Sequence, residues 1–139
     1  MSLCPSLDNN SLYLYLLFCS HFDKYTLTAK SEGNLIGFVS AYQHPKHTDT
    51  LFIWQIAVLP KYRKLGIASE MVARLIELAS WDSISYIEAT VTPSNIASLN
   101  MFKKIAKLNK AELKQHVYFP KTLFVGGHEE EILLRIGPI

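Results

Sequence analysis

The stretch WQIAVLPKYRKLGIA, Trp54 to Ala68, decides how the chain reads. Together with the residues just before it, it predicts a buried strand over Leu51 to Val58, a turn opened by Pro60, and a basic loop running directly into a helix. The first turn of a helix leaves backbone N–H groups unpaired and carries the positive end of the dipole, so a loop placed there is a ready anion site. Arg63 and Lys64 supply cations, and Gly66 supplies a position without a Cβ where backbone can approach phosphate closely. In the helix that follows, Met71, Val72, Leu75, Ile76 and Ala79 form an apolar stripe, with Ser69, Glu70, Arg74 and Glu77 on the other face. Taken alone, the loop also fits a basic helix start on an ordinary α/β domain.

Composition narrows the choice. The chain has 139 residues, 49% of them apolar and 19% charged, which is one globular domain over residues 1–139. The net charge of +2 is small and the basic residues are scattered, so neither nucleic acid nor a membrane surface is expected as a partner. Cys4 and Cys19 have no CxxC spacing and suggest neither a zinc ribbon nor a disulfide framework, which points to reduced thiols in the cytoplasm. The apolar run Leu12 to Cys19 falls far short of the roughly 20 residues that span a bilayer, and it reads as a buried helix segment.

Along the chain, Ser6 to Ser11 is rich in helix-capping types and precedes a helix to about Phe22. Tyr25 to Ala29 and Leu35 to Tyr42 read as strands joined across Ser31-Glu32-Gly33-Asn34. After the central strand and helix, Tyr86 to Val91 is a strand, and Thr92-Pro93 opens a further helix with Thr92 as N-cap. Ser98, Leu99, Phe102, Ile105 and Ala106 give that helix its buried face. Two more strands are expected near Val117 to Phe119 and Ile132 to Ile136. The order is α+β, with a hairpin and one strand-helix-strand crossover.

Arg63-Lys64-Leu65-Gly66-Ile67-Ala68 resembles the Gln/Arg-x-x-Gly-x-Gly/Ala signature of the GCN5-related N-acetyltransferases. In that family the loop amides hold the pyrophosphate of acetyl-CoA and the preceding strand binds its pantetheine arm. A second resemblance runs from residue 6 to residue 138. Ser6 to Tyr13, Cys19 to Phe22, Leu51 to Val58, Thr90 to Asn95 with Ala97-Ser98, His128 to Glu131 and Arg135 to Pro138 are similar to the diaminobutyrate acetyltransferases of ectoine biosynthesis. Members of that branch move acetyl from acetyl-CoA to the 4-amino group of L-2,4-diaminobutyrate, and ectoine synthase cyclises the product.

The resemblance implies a mixed, mostly antiparallel sheet flanked by helices, a homodimer, and acetyl-CoA as co-substrate without a metal. It assigns Ile56, Ala57, Val58, Arg63, Lys64, Leu65, Gly66, Ile67, Ala68 and Asn95 to the coenzyme, and Asp8, Tyr13, Trp54, His128 and Glu131 to the diaminobutyrate pocket. Gln55, Tyr15, Glu88 and Thr90 are further neighbours. Two departures stand out. The family carries another strand and helix start upstream of Ser6, so this N-terminally short chain is expected to lack the usual first strand. Many relatives also place a proton-donating tyrosine after an Asn-x-x-Ala-x-x-Leu pattern, whereas Asn95-x-x-Ser98-x-x-Met101 is followed here by Phe102, which has no proton to give.

The chemistry sets its own requirements. An alkylamine of pKa about 10.4 is almost wholly protonated at neutral pH and attacks a thioester only when neutral. The site must therefore remove a proton, and it must stabilise an oxyanion, for which backbone N–H groups on the Trp54 to Val58 strand are suited. Read from residue type alone, Asp8 can be a helix cap, Tyr13 and Trp54 core residues, and His128 with Glu131 either a metal pair or a solvated charge cluster. Two other readings fit the same residues: an acetyltransferase for a different small amine, or a non-catalytic acyl-CoA-binding remnant.

Overall fold

The computed structural model describes residues 12–139. Helix α1 (Leu12–His21) leads into a hairpin of β1 (Tyr25–Ser31) and β2 (Asn34–Gln43), then β3 (Thr50–Val58), α2 (Ile67–Ser80), β4 (Tyr86–Val91), α3 (Ile96–Leu108), β5 (Glu112–Phe119) and β6 (Glu131–Gly137). The strands form one sheet in the order β1-β2-β3-β4-β6-β5. Only β3 and β4 run parallel, joined by α2 as the crossover; every other neighbouring pair is antiparallel. This is the mixed, mostly antiparallel sheet expected from the sequence. The β1–β2 turn has positive φ at both Glu32 and Gly33, the geometry that matches the twist of a tight hairpin.

Helices α2 and α3 cover one face. Met71, Val72, Leu75 and Ala79 of α2 and Phe102, Ile105 and Ala106 of α3 pack on Val39, Ala41, Leu51, Ile53, Ile87, Ala89, Leu134 and Ile136. The stripe read from the sequence is the stripe that is buried.

Helix α1 lies on the opposite face, and there the expectation of a buried segment fails. None of its residues is buried; Leu12 and Leu16 are 75% and 59% exposed. A helix can lay only one stripe on a sheet, and α1 is apolar nearly all round, so the remainder meets solvent. What it does contribute is an aromatic contact, with Phe18 packed between Phe22, Tyr42 and Trp54.

Two boundaries also shift. Thr92 does not cap α3. Thr92 to Asn95 form a turn, and Asn95 is the N-cap, its Oδ1 accepting the Ser98 N–H at 3.1 Å. Asn is among the strongest capping residues, and its bond satisfies an N–H that a helix started at Pro93 would leave to water. Strand β5 begins at Glu112, well before Val117, because pairing with β6 continues through the exposed, polar residues of an edge strand.

Candidate active site

The site begins where two strands part. Parallel pairing of β3 with β4 runs from Thr50↔Tyr86 to Ile53↔Ala89 and then stops, so among the described residues Trp54 to Val58 have no strand partner on the β4 side. On the other side the register jumps from Ala41↔Ile53 to Ser40↔Gln55, leaving Trp54 as the extra residue of a bulge. A bulge of this kind turns two consecutive side chains to one face. Trp54 and Gln55 both point to the α1 side, while Ile56 returns to the core opposite Val39. Trp54 stacks with its ring centroid 4.4 Å from Phe18 and 6.0 Å from Tyr15, and Gln55 Nε2 donates to the Tyr15 hydroxyl at 3.4 Å.

The parting opens a cavity of about 570 Å³ whose lining includes Tyr15, Trp54, Gln55, Thr90, Asn95 and Phe102. A second groove of about 600 Å³ runs from the same strand across the loop, lined by Ile56 to Val58, Arg63, Lys64, Gly66 to Ser69, Asn95, Ala97, Ser98 and Met101. Ile56, Ala57, Asn95 and Ser98 line both, so the two spaces meet there.

The loop is built to receive an anion. Gly66 caps α2 at φ +82° and ψ 0°, and Lys64 also has positive φ. The first bond of the helix is Glu70 N–H to Gly66 O at 2.9 Å, and the N–H groups of Lys64 through Ser69 have no acceptor among the described residues. Successive free N–H groups around a left-handed residue form a concave anion nest at the positive end of the helix. A Cβ at Gly66 would meet nothing within 4 Å, so the space beside the nest is open. Arg63, which lines the groove, is tethered by Nε–H to Val58 O at 3.1 Å. Leu65 faces away, 69% exposed, into a groove between β1 and α2.

Of the other described residues expected in the site, Tyr13, Glu88, His128 and Glu131 line neither of these two spaces. Tyr13 is 66% exposed on α1. His128 Nε2 stands 3.6 Å from Glu131 Oε1 at the start of β6, with its ring 4.3 Å from Phe124. The neighbouring Glu129 accepts from Ser94 and so ties this loop to the turn before α3. Asp8 lies outside the described residues. Glu88 sits two residues before Thr90 on the same face but is engaged: Arg135 Nη1 donates to it at 2.6 Å and to Thr50 Oγ1 at 3.1 Å, with the guanidinium 4.0 Å from the Tyr86 ring centre. Among the described residues, no three His, Cys, Asp or Glu side chains gather as a metal site.

A parallel strand pair that splays beside a bulge, with a glycine-turned anion nest at the end of the opened strand, is the framework of an acyl-CoA-dependent transferase. The chain belongs to the acetyltransferase (GNAT) family, whose model matches residues 3–106. It is 42% identical over 135 residues to the L-2,4-diaminobutyric acid acetyltransferase of Shouchella clausii (strain KSM-K16), covering 96% of this chain and 76% of that protein. It is also 42% identical over 139 residues to the protein of the same name from Methylotuvimicrobium alcaliphilum (strain DSM 19304 / NCIMB 14124 / VKM B-2133 / 20Z), covering 99% and 81%. Among solved structures, the diaminobutyrate acetyltransferase EctA of Paenibacillus lautus, in complex with L-2,4-diaminobutyric acid and coenzyme A, superposes with a TM-score of 0.87 at 38% identity. That match covers 96% of this chain and 81% of that one. Ard1 of Thermoplasma volcanium shares the fold at 15% identity and a TM-score of 0.74.

Proposed function

We propose that this chain transfers the acetyl group of acetyl-CoA to the 4-amino group of L-2,4-diaminobutyrate, the acetylation step of ectoine biosynthesis that serves osmoprotection. The observation that carries this reading is identity of 38 to 42% spread over 96% or more of the chain with proteins of that name. It reaches well beyond the coenzyme loop that the wider family has in common.

In this reading the coenzyme's pyrophosphate lies on the N–H nest of Lys64 to Ser69 with Arg63 and Lys64 as counter-charges. Its pantetheine arm runs along Ile56, Ala57 and Val58, beyond the point where β4 stops pairing with the strand, and Asn95 flanks it. The thioester then sits where the two spaces meet. Backbone N–H groups of the splayed stretch stabilise the oxyanion. The acceptor enters from the α1 side, against Trp54. The resemblance assigns its near ammonium and carboxylate to Asp8, Tyr13, His128 and Glu131, of which the three described line neither space, and an acceptor held there at its near end would present only the far amine to the carbonyl.

Large apolar residues remain open on the surface: Leu12 and Leu16 of α1, and Val117, Tyr118 and Phe119 of β5 at 48%, 43% and 41% exposure. Exposed apolar residues of this kind are ones a partner copy can cover, and the functional unit in this reading is a homodimer of one-domain chains. No described helix is long and apolar enough to cross a membrane, and the working compartment proposed is the cytoplasm.

A panel of primary amines assayed with acetyl-CoA tests the reading. A specificity constant for diaminobutyrate well above those for polyamines, amino sugars and peptide N-termini supports it. A preference for any of the others, or coenzyme binding without turnover, overturns it.

A further inference from the structure

The cavity beside Trp54 and the groove over the loop have four residues in common, Ile56, Ala57, Asn95 and Ser98. Only two of these have polar side chains. The Asn95 side-chain oxygen is already committed to the Ser98 N–H at 3.1 Å. The Ser98 hydroxyl makes no hydrogen bond with any described residue, although its side chain is partly buried. One turn further along the same face of α3 stands Phe102, 3% exposed and without a proton to exchange. Among the described residues the cavity lining contains no carboxylate, imidazole, ammonium or thiol; its other hydroxyls are those of Thr90 and of Tyr15, which accepts from Gln55 Nε2, and neither of these two residues reaches the groove over the loop.

We propose that the Ser98 hydroxyl is the proton shuttle of the acetyl transfer. After a neutral amine has added to the thioester carbonyl, the nitrogen carries one proton too many and the sulfur must leave with one. Ser98 gives its Oγ–H proton to the sulfur as the C–S bond breaks, and Oγ takes a proton from the nitrogen. The products are the amide and the free thiol, and Ser98 returns to its starting state. A hydroxyl is suited to this because it donates and accepts at the same atom, and no free acid or base is consumed. The inference rests on acetyl transfer from the thioester, not on which amine is the acceptor.

Ser98→Thr and Ser98→Val provide the test, since they match in shape and differ in the hydroxyl. Ser98→Thr should keep kcat within about threefold of wild type, while Ser98→Val should lose about 100-fold, with the acetyl-CoA KM of the two alike. Ser98→Ala, the better helix former, should show the same loss. The comparison is made with diaminobutyrate and with a second primary diamine. Equal loss on both acceptors supports the shuttle; a Val or Ala variant as active as Thr overturns it, and so does a loss confined to diaminobutyrate. Failure of the acceptor reading shows separately, as wild-type enzyme that prefers the second amine.

Discussion

Gly66→Val separates the coenzyme loop from the rest of the fold. At φ +82° Gly66 is in the left-handed region, and a Cβ there meets nothing within 4 Å. The substitution therefore makes no clash within the protein. Its first effect is conformational: holding a β-branched residue at this φ costs about 1 to 3 kcal/mol. Its second is on the ligand. Either the isopropyl group fills the space beside the nest, or the loop relaxes and its N–H groups turn away. Losing two charge-assisted bonds at about 1.5 to 3 kcal/mol each weakens coenzyme binding by roughly 100-fold or more. Calorimetric titration with coenzyme A measures this directly. Thermal denaturation with and without saturating coenzyme gives a second reading, because the ligand's stabilisation of the native state follows its affinity. A variant that melts lower yet binds coenzyme within about threefold of wild type would refute the assignment of this loop to the pyrophosphate.

Gly37→Ala acts from the opposite strand. Its Cβ would lie 2.9 Å from Ala57 O and 3.3 Å from Val58 Cγ2, so β3 must shift, at about 1 to 3 kcal/mol in stability and with a raised acetyl-CoA KM; unchanged melting and KM would contradict the close packing behind the splay. Phe102→Tyr places a hydroxyl at a 3% exposed position and should leave turnover level or lower it, since an unpartnered buried hydroxyl costs about 1 to 3 kcal/mol; a several-fold rise in kcat would contradict this. Hydrogen bonds from Lys24 and then Tyr25 hold the Asp82 carboxyl below its ordinary value of 3.8. The stability it contributes is present above that value and is lost as pH falls through the lowered one, so melting curves of wild type and Asp82→Asn should converge on the acid side, not run parallel. Asp8→Asn or Glu131→Gln should lower kcat/KM for diaminobutyrate about 10- to 1,000-fold with little change in coenzyme affinity, and unaltered kinetics in both would remove these carboxylates from the acceptor pocket.

The parts of the fold legible in the sequence are those set by local chemistry. The stripe of α2, the Gly66 turn and the turn of the β1–β2 hairpin are each written within a dozen residues. What stayed hidden depends on partners far along the chain. The exposure of α1 is not legible because apolar residues all round a helix do not say which stripe finds the sheet. Thr-Pro is a strong local signal for a helix start at Thr92, yet the turn through Asn95 delays the helix. The bulge at Trp54 is a property of register between β2 and β3, and the splay is the point where β4 ceases to follow; neither leaves a mark in one strand's sequence. The helical spacing puts Ser98 on a buried face, and only the meeting of two cavities at this residue gives it another role. The Glu88–Arg135 pair joins residues 47 positions apart and has no local signature at all.

The most direct measurement of the central claim is the product formed from L-2,4-diaminobutyrate and acetyl-CoA, with the acetylated nitrogen assigned by NMR and the rate followed by thiol release. Steady turnover and acetylation at the 4-amino group alone are expected. Acetylation at the 2-amino group, a mixture of the two, or no acetylated diaminobutyrate from a folded enzyme that binds acetyl-CoA would contradict that claim.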